Sequence, residues 1–169
     1  MHERIAIGIS YQGTAYHGWQ SQPDQTSTLQ QRITHAISML AKHAIELVAS
    51  GRTDAGVHAH QQVAHFSTSA LRDEHTWLSG VNHYLPDDIR VNWVKKVDKN
   101  FHARFCALKR LYEYKILNAP VNSPFYVHSH AWIYHKLDLS AMAQALEIFV
   151  GTHDFNAFRN SACQAKSSV

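Results

Sequence analysis

Ile5, Ile7, Ile9 and Tyr11 alternate with Ala6, Gly8 and Ser10, the two-residue period of a strand with one face on a core. The period then lengthens. Leu29, Ile33, Ala36, Ile37 and Leu40 recur on one helical face, and Ser27 and Gln30 stand ahead of them at capping-box spacing. This predicts a helix over about residues 28–42, packed on the first strand. Two apolar, β-branched runs, Ile45 to Val48 and Val63 to Phe66, flank a polar segment and predict neighbouring antiparallel strands over 45–50 and 61–67. Residues 73–84 return to the helical period with Trp77, Leu78 and Val81 inward, and Leu85-Pro86-Asp87-Asp88 stops them. Over 89–97 a further strand is predicted, with Ile89, Val91, Trp93 and Lys95 on one side. Residues 109–116 alternate as a strand would, placing Arg110, Tyr112, Tyr114 and Ile116 on one face. Asn118 to His130 carries two prolines and reads as a loop. Asp138 caps a last helix, 139–150, with Met142, Leu146 and Phe149 inward and Gly151 as its terminator. The order β-α-β-β-α-β-β-α predicts an α+β fold of ferredoxin-like character. Its antiparallel or mixed sheet carries helices on one face and leaves the other open to a polynucleotide.

Composition narrows the class. The 169 residues, 45% hydrophobic and 17% charged, suffice for one globular domain or most of one. No apolar run approaches the ~20 residues of a membrane helix. Ile5 to Ile9 is too short for a signal-peptide core, so no membrane partner is expected. Cys106 and Cys163 form no C-x-x-C pair, and a reducing cytoplasm is the expected compartment. A net charge of +3 permits an anionic partner without requiring one. The 14 histidines add positive charge below about pH 6.5, so affinity for nucleic acid should rise in acid.

The chemistry concentrates in Ser50-Gly51-Arg52-Thr53-Asp54-Ala55-Gly56-Val57-His58. Gly51 and Gly56 suit positive φ and a sharp turn. Arg52 offers a planar fork of donors for phosphate or a base edge, and Asp54 a carboxylate able to act as nucleophile or base. The same residues also suit an ordinary turn in which the aspartate caps its own backbone. Upstream, the polar segment 12–26 carries Tyr16, His17 and Trp19, aromatic groups suited to stacking on bases, although Trp19 equally suits a role pinning the loop to the core. His58 and His60 share a strand face, but no third ligand is placed by the sequence, and no metal is expected. Phe101 to Phe105 interleaves bases with aromatics, as RNA contact or a buried Phe pair would. Arg52, Arg104, Lys109 and Arg110 are candidate RNA contacts.

Residues 51–59, Gly-Arg-Thr-Asp-Ala-Gly-Val-His-Ala, resemble the signature of the TruA family of tRNA pseudouridine synthases. Residues 13–20, 101–116 and 154–159 resemble further family segments, so the likeness covers nearly the whole chain. It implies the pseudouridine-synthase fold, whose catalytic domain joins two halves around a cleft. It also implies isomerisation of uridine to pseudouridine in the anticodon stem-loop of tRNA, without a cofactor, by a homodimer. Asp54 falls on the family's catalytic carboxylate and Tyr112 on its active-site tyrosine, which stacks on the uracil and is a candidate base for the C5 proton. Arg52 falls on a residue that helps extrude the target base. Family members are longer, which makes 1–160 the expected N-terminal catalytic half and 161–169 a tail toward a second half supplying a basic partner for Asp54. Two other readings compete: a non-catalytic RNA-binding module of the same fold, and a metal-dependent hydrolase built on His58, His60 and Asp54.

Overall fold

The computed structural model describes residues 2–22 and 27–158. The chain divides into two compact units, Met1–Glu113 and Tyr114–Val169.

The first unit is a four-stranded antiparallel sheet with two helices. Its elements are β1 (Glu3–Tyr11), α1 (Leu29–Ala41), β2 (Val48–Ala49), β3 (Ala59–Thr68), α2 (Glu74–Tyr84) and β4 (Ile89–Val97). The strands lie in the order β2-β3-β1-β4. Ile5, Ile7 and Ile9 of β1 and Phe66 and Ala64 of β3 meet Leu29, Ile33 and Ile37 of α1 and Trp77 and Val81 of α2 in one core. The expected α+β class, antiparallel pairing and covering helices are all present.

Caps set the helix ends. Thr28, not Ser27, caps α1 by accepting the Gln31 amide at 3.4 Å. Gln30 is drawn away from a capping box, because its amide bridges the Ser21 N–H and the Leu47 carbonyl. Lys42 closes the helix in the left-handed region, at φ 63°. Asp73 caps α2 by accepting the Thr76 amide at 2.6 Å.

Two bulges govern the sheet. Gly8 pairs with Trp93 and Ile9 with Val91, so Asn92 is an extra residue in β4. A bulge reverses which side chains face inward beyond it. Ile89 and Val91 therefore face the core, but after Asn92 it is Val94 that does so. This corrects the expected grouping of Trp93 with Ile89 and Val91. Trp93 lies on the opposite face over Gly8, where an added Cβ would come within 2.1 Å of the indole nitrogen. The second bulge, between Ile9 and Tyr11, loosens β1 from β3 just where the Ser50–His58 loop returns to the sheet.

The second face of the sheet is not open throughout. Arg4 donates to the Phe101 carbonyl at 2.8 Å and His65 accepts the Ala103 amide at 3.1 Å, so the turn around Ala103 covers Ala6 and His65. The outer edge of β4 is also engaged. The Asn82 amide group of α2 bonds both the N–H and the carbonyl of Val91, and Glu74 accepts the Lys96 amide. Such side-chain pairing blunts a sheet edge.

In the second unit, β5 (Ile116–Asn118) and β6 (Ala131–Ile133) form a parallel pair, and α3 (Leu139–Glu147) is capped by Asp138. Two expectations are corrected here, and one strand was not anticipated. The alternating run 109–116 is not a strand up to Ile116, and Met142, Leu146 and Phe149 are exposed rather than inward; β6 falls on residues to which the sequence assigned no element. Two three-residue strands and one helix offer too little surface to cover an apolar helical stripe. The expected tail 161–169 lies outside the described residues. Among the described residues, no helix is long and apolar enough to cross a membrane.

Candidate active site

The loop joining β2 to β3 holds the candidate carboxylate. Its base is tied to β3 by Gln62, a buried polar residue on the core face of the strand. Gln62 donates to the Gly51 carbonyl and accepts from the Ser50 hydroxyl, both at 2.6 Å, while the Ser50 amide donates to Val63. At the tip, the Val57 amide closes on the Asp54 carbonyl at 3.2 Å, with Gly56 at φ +78°. A turn with positive φ at its third residue favours glycine there. Gly51 does not share that conformation, contrary to expectation. Its place is at the base, where an added Cβ would meet the Arg110 side chain at 3.3 Å.

Residues 12–19 clamp the loop from outside. The Trp19 amide donates to the Thr53 carbonyl at 2.9 Å, Gly56 N–H to the Tyr16 carbonyl at 3.4 Å, and Gly13 N–H to His58 Nδ1 at 3.3 Å. Close approach requires glycine at two points. An added Cβ at Gly18 would lie 2.8 Å from the Thr53 oxygen, and one at Gly13 only 2.0 Å from the Val57 oxygen. The clamp is itself anchored. Trp19 is buried with its ring 6.0 Å from that of Tyr11, and the Tyr16 hydroxyl donates to Asp88 at 2.8 Å. Burial and the Asp88 carboxylate push the Tyr16 phenol up to about 12. Trp19 and Tyr16 are therefore anchors rather than stacking platforms, and of the three aromatics only His17 is exposed.

The outcome is an alternation along the loop. Ser50, Gly51 and Thr53 are bonded to the body of the unit, and the side chains of Arg52 and Asp54 between and beyond them are exposed. Asp54 is not among the residues lining the two recesses beside α1. Tyr112 is also exposed, on an irregular segment rather than a strand. That segment is held by Arg110, which donates to the Ser50 carbonyl at 2.6 Å. Tyr112 is near enough to raise the pKa of Tyr11, after the larger effect of burial there. The structure thus brings Asp54, Arg52, Arg110 and Tyr112 to one end of the sheet. Arg104 and Lys109 are exposed. His58 meets Gly13, and among the described residues no group of three His, Cys, Asp or Glu is placed to hold a metal ion.

Sequence reasoning missed Tyr11 and Gln62 and gave Arg110 an outward role. Gln62 left a signal, a polar residue at an inward position of an apolar strand. Tyr11 left none, because a tyrosine on an alternating strand reads as core.

The sequence profile of the tRNA pseudouridine synthases matches residues 7–106. The chain belongs to the tRNA pseudouridine synthase family. It is 47% identical to tRNA pseudouridine synthase A of Methylobacillus flagellatus, over 98% of this chain and 63% of the relative. The corresponding protein of an Acidovorax species is 45% identical over 98% of this chain and 60% of its own length. That of Acinetobacter baumannii is 45% identical over 99% and 63%. The chain thus spans under two thirds of the length of these synthases. The family match takes in the clamp, the Asp54 loop and Arg104, and stops short of Lys109, Arg110 and Tyr112.

Proposed function

We propose that the protein isomerises uridine to pseudouridine in the anticodon stem-loop of tRNA, with Asp54 as the reacting carboxylate. The observation that carries this reading is the presentation of Asp54: an exposed carboxylate whose neighbours on both sides are fastened to β1, β3 and the 12–19 clamp. Such a group needs no further ordering when a base arrives, which is the condition for efficient covalent or general-base chemistry. In the reaction the N1–C1′ bond breaks, the uracil turns, and C5 bonds to C1′. The proton lost from C5 balances the one gained at N1, so no electrons or groups are exchanged with a cofactor. Asp54 attacks the sugar, attacks the base, or removes a proton; all three roles need an ionised carboxylate at this place. Arg52 supports the extruded base or its phosphate, and Tyr112 offers a ring to stack on the uracil and a hydroxyl for the C5 proton. Arg104 and Lys109 contact the RNA backbone.

The strand order β2-β3-β1-β4, with β3 inserted between strands joined through α1, supports a ferredoxin-like half of the pseudouridine-synthase fold. The N-terminal catalytic half is taken as residues 1–160, with the ferredoxin-like sheet in its first unit. A tRNA substrate supports a cytoplasmic location, and the family resemblance supports a homodimer.

The test is turnover on unmodified tRNA by the protein as its gene encodes it, with pseudouridine read by chemical labelling. Asp54→Asn keeps the shape and the backbone turn and should lower kcat by about a thousandfold or more. Near-normal turnover by the Asn variant would reduce Asp54 to a turn residue. Wild-type protein that binds tRNA but forms no pseudouridine would favour the RNA-binding module instead.

A further inference from the structure

Asp54 is exposed, and what fixes its backbone on the N-terminal side is Thr53. Thr53 is held at two atoms. Its carbonyl accepts the Trp19 amide at 2.9 Å, and its hydroxyl lies 2.9 Å from the Tyr11 hydroxyl. Tyr11 is only 4% exposed and ends the central strand, paired with β3 on one side and β4 on the other. The Gln62 side chain, close enough to influence the Tyr11 phenol, holds Ser50 and Gly51. Gln62 at Ser50 and Gly51, and Tyr11 at Thr53, therefore hold the loop on both sides of Arg52.

A buried tyrosine hydroxyl needs a partner, and any carbonyl would serve. Here the partner is the side chain of the residue preceding the carboxylate, and Tyr11 lies just past the bulge between Ile9 and Tyr11. We infer that Tyr11 is a positioning residue for Asp54, acting through the Thr53 hydroxyl to hold the carboxylate where the uridine must meet it. The inference rests on the reading of Asp54 as the reacting group. It predicts a loss in the chemical step rather than in tRNA binding, since neither hydroxyl is offered to the RNA.

The experiment compares Tyr11→Phe, Thr53→Val and Thr53→Ser in the protein as its gene encodes it. Two quantities are read: steady-state kinetics on tRNA, and amide hydrogen exchange over residues 53–57. Phenylalanine keeps the ring packed against Trp19, and serine keeps the hydroxyl that valine removes. Expected for Tyr11→Phe and Thr53→Val is a fall in kcat of about tenfold to a hundredfold with KM little changed. Exchange at 53–57 should quicken while the amides of β1 and β3 hold theirs. Thr53→Ser should recover most of the rate, and the double variant should lose little more than either single one. Unchanged exchange at 53–57 in Tyr11→Phe overturns the inference whatever the activity. Faster exchange with unchanged kcat overturns it too, because the loop would then be held to no catalytic effect. A wild-type protein without synthase activity defeats the functional reading instead, and the exchange data separate that case.

Discussion

The imidazole of His65 accepts the backbone amide of Ala103 through Nδ1 at 3.1 Å, joining the middle of the sheet to the turn that covers its second face. An imidazolium has no lone pair at that nitrogen, so the contact exists only with a neutral ring. Burial first, then the charges of Arg4 and His102, lower the His65 pKa to about 4, against a weaker opposing hydrogen bond with the Val48 backbone.

That arrangement predicts acid sensitivity. In the unfolded chain His65 takes up its proton near pH 6.5, and in the folded protein only near 4. Between those values the unfolded state binds more protons, so stability falls as pH drops from about 6.5 to about 4 and levels off below. The full effect is up to about 3 kcal/mol. Thermal melts across this range should show the slope, and His65→Asn, which keeps an acceptor but does not titrate, should flatten it. An equal slope in both proteins would assign the acid effect to other groups.

Gly8 and Trp93 make a second prediction. A methyl group at Gly8 has no room beneath the indole, so Gly8→Ala should cost about 1–3 kcal/mol. Chemical denaturation of Gly8→Ala, Trp93→Leu and the double variant gives the test. The alanine should cost markedly less when residue 93 is leucine; strict additivity would show that the overlap is not the cause.

The basic residues should separate by role. Arg104 and Lys109 are exposed, and each that touches a phosphate adds about 0.7–0.9 to the slope of log affinity against log salt. Their alanine variants should bind tRNA more weakly with a shallower slope. Arg110 bonds the Ser50 carbonyl, so Arg110→Ala should lower kcat more than it changes the slope. A salt slope reduced by a full contact in Arg110→Ala, with normal kcat, would return that residue to the RNA-binding surface.

Tyr112 is 77% exposed, so its hydroxyl has little part in folding. Tyr112→Phe should change stability by less than about 0.5 kcal/mol while turnover falls strongly. If the Phe variant works as well as the wild type and Tyr112→Ala does not, the residue serves by stacking alone.

Periodicity by itself determined β1, both helices of the first unit, β3 and the extent of β4, because each buries one regular face and its apolar spacing reports that face. Around Asp54 the residue types alone suited a turn carrying an acid and a base; the turn at Gly56 is present, whereas Gly51, equally suited to positive φ, does not adopt it. Tertiary structure alone decided three things. It turned Trp93 to the second face, because a bulge at Asn92 depends on the partner strand and has no mark in the composition of β4. It made residues 107–115 an irregular segment held by Arg110, although Tyr112 and Tyr114 alternate as a strand would, since a strand needs a neighbour to accept its hydrogen bonds. And it bonded Tyr11, still buried in the core, and Gln62 to the Asp54 loop, because a polar side chain's partner lies across the fold, where sequence spacing carries no distance.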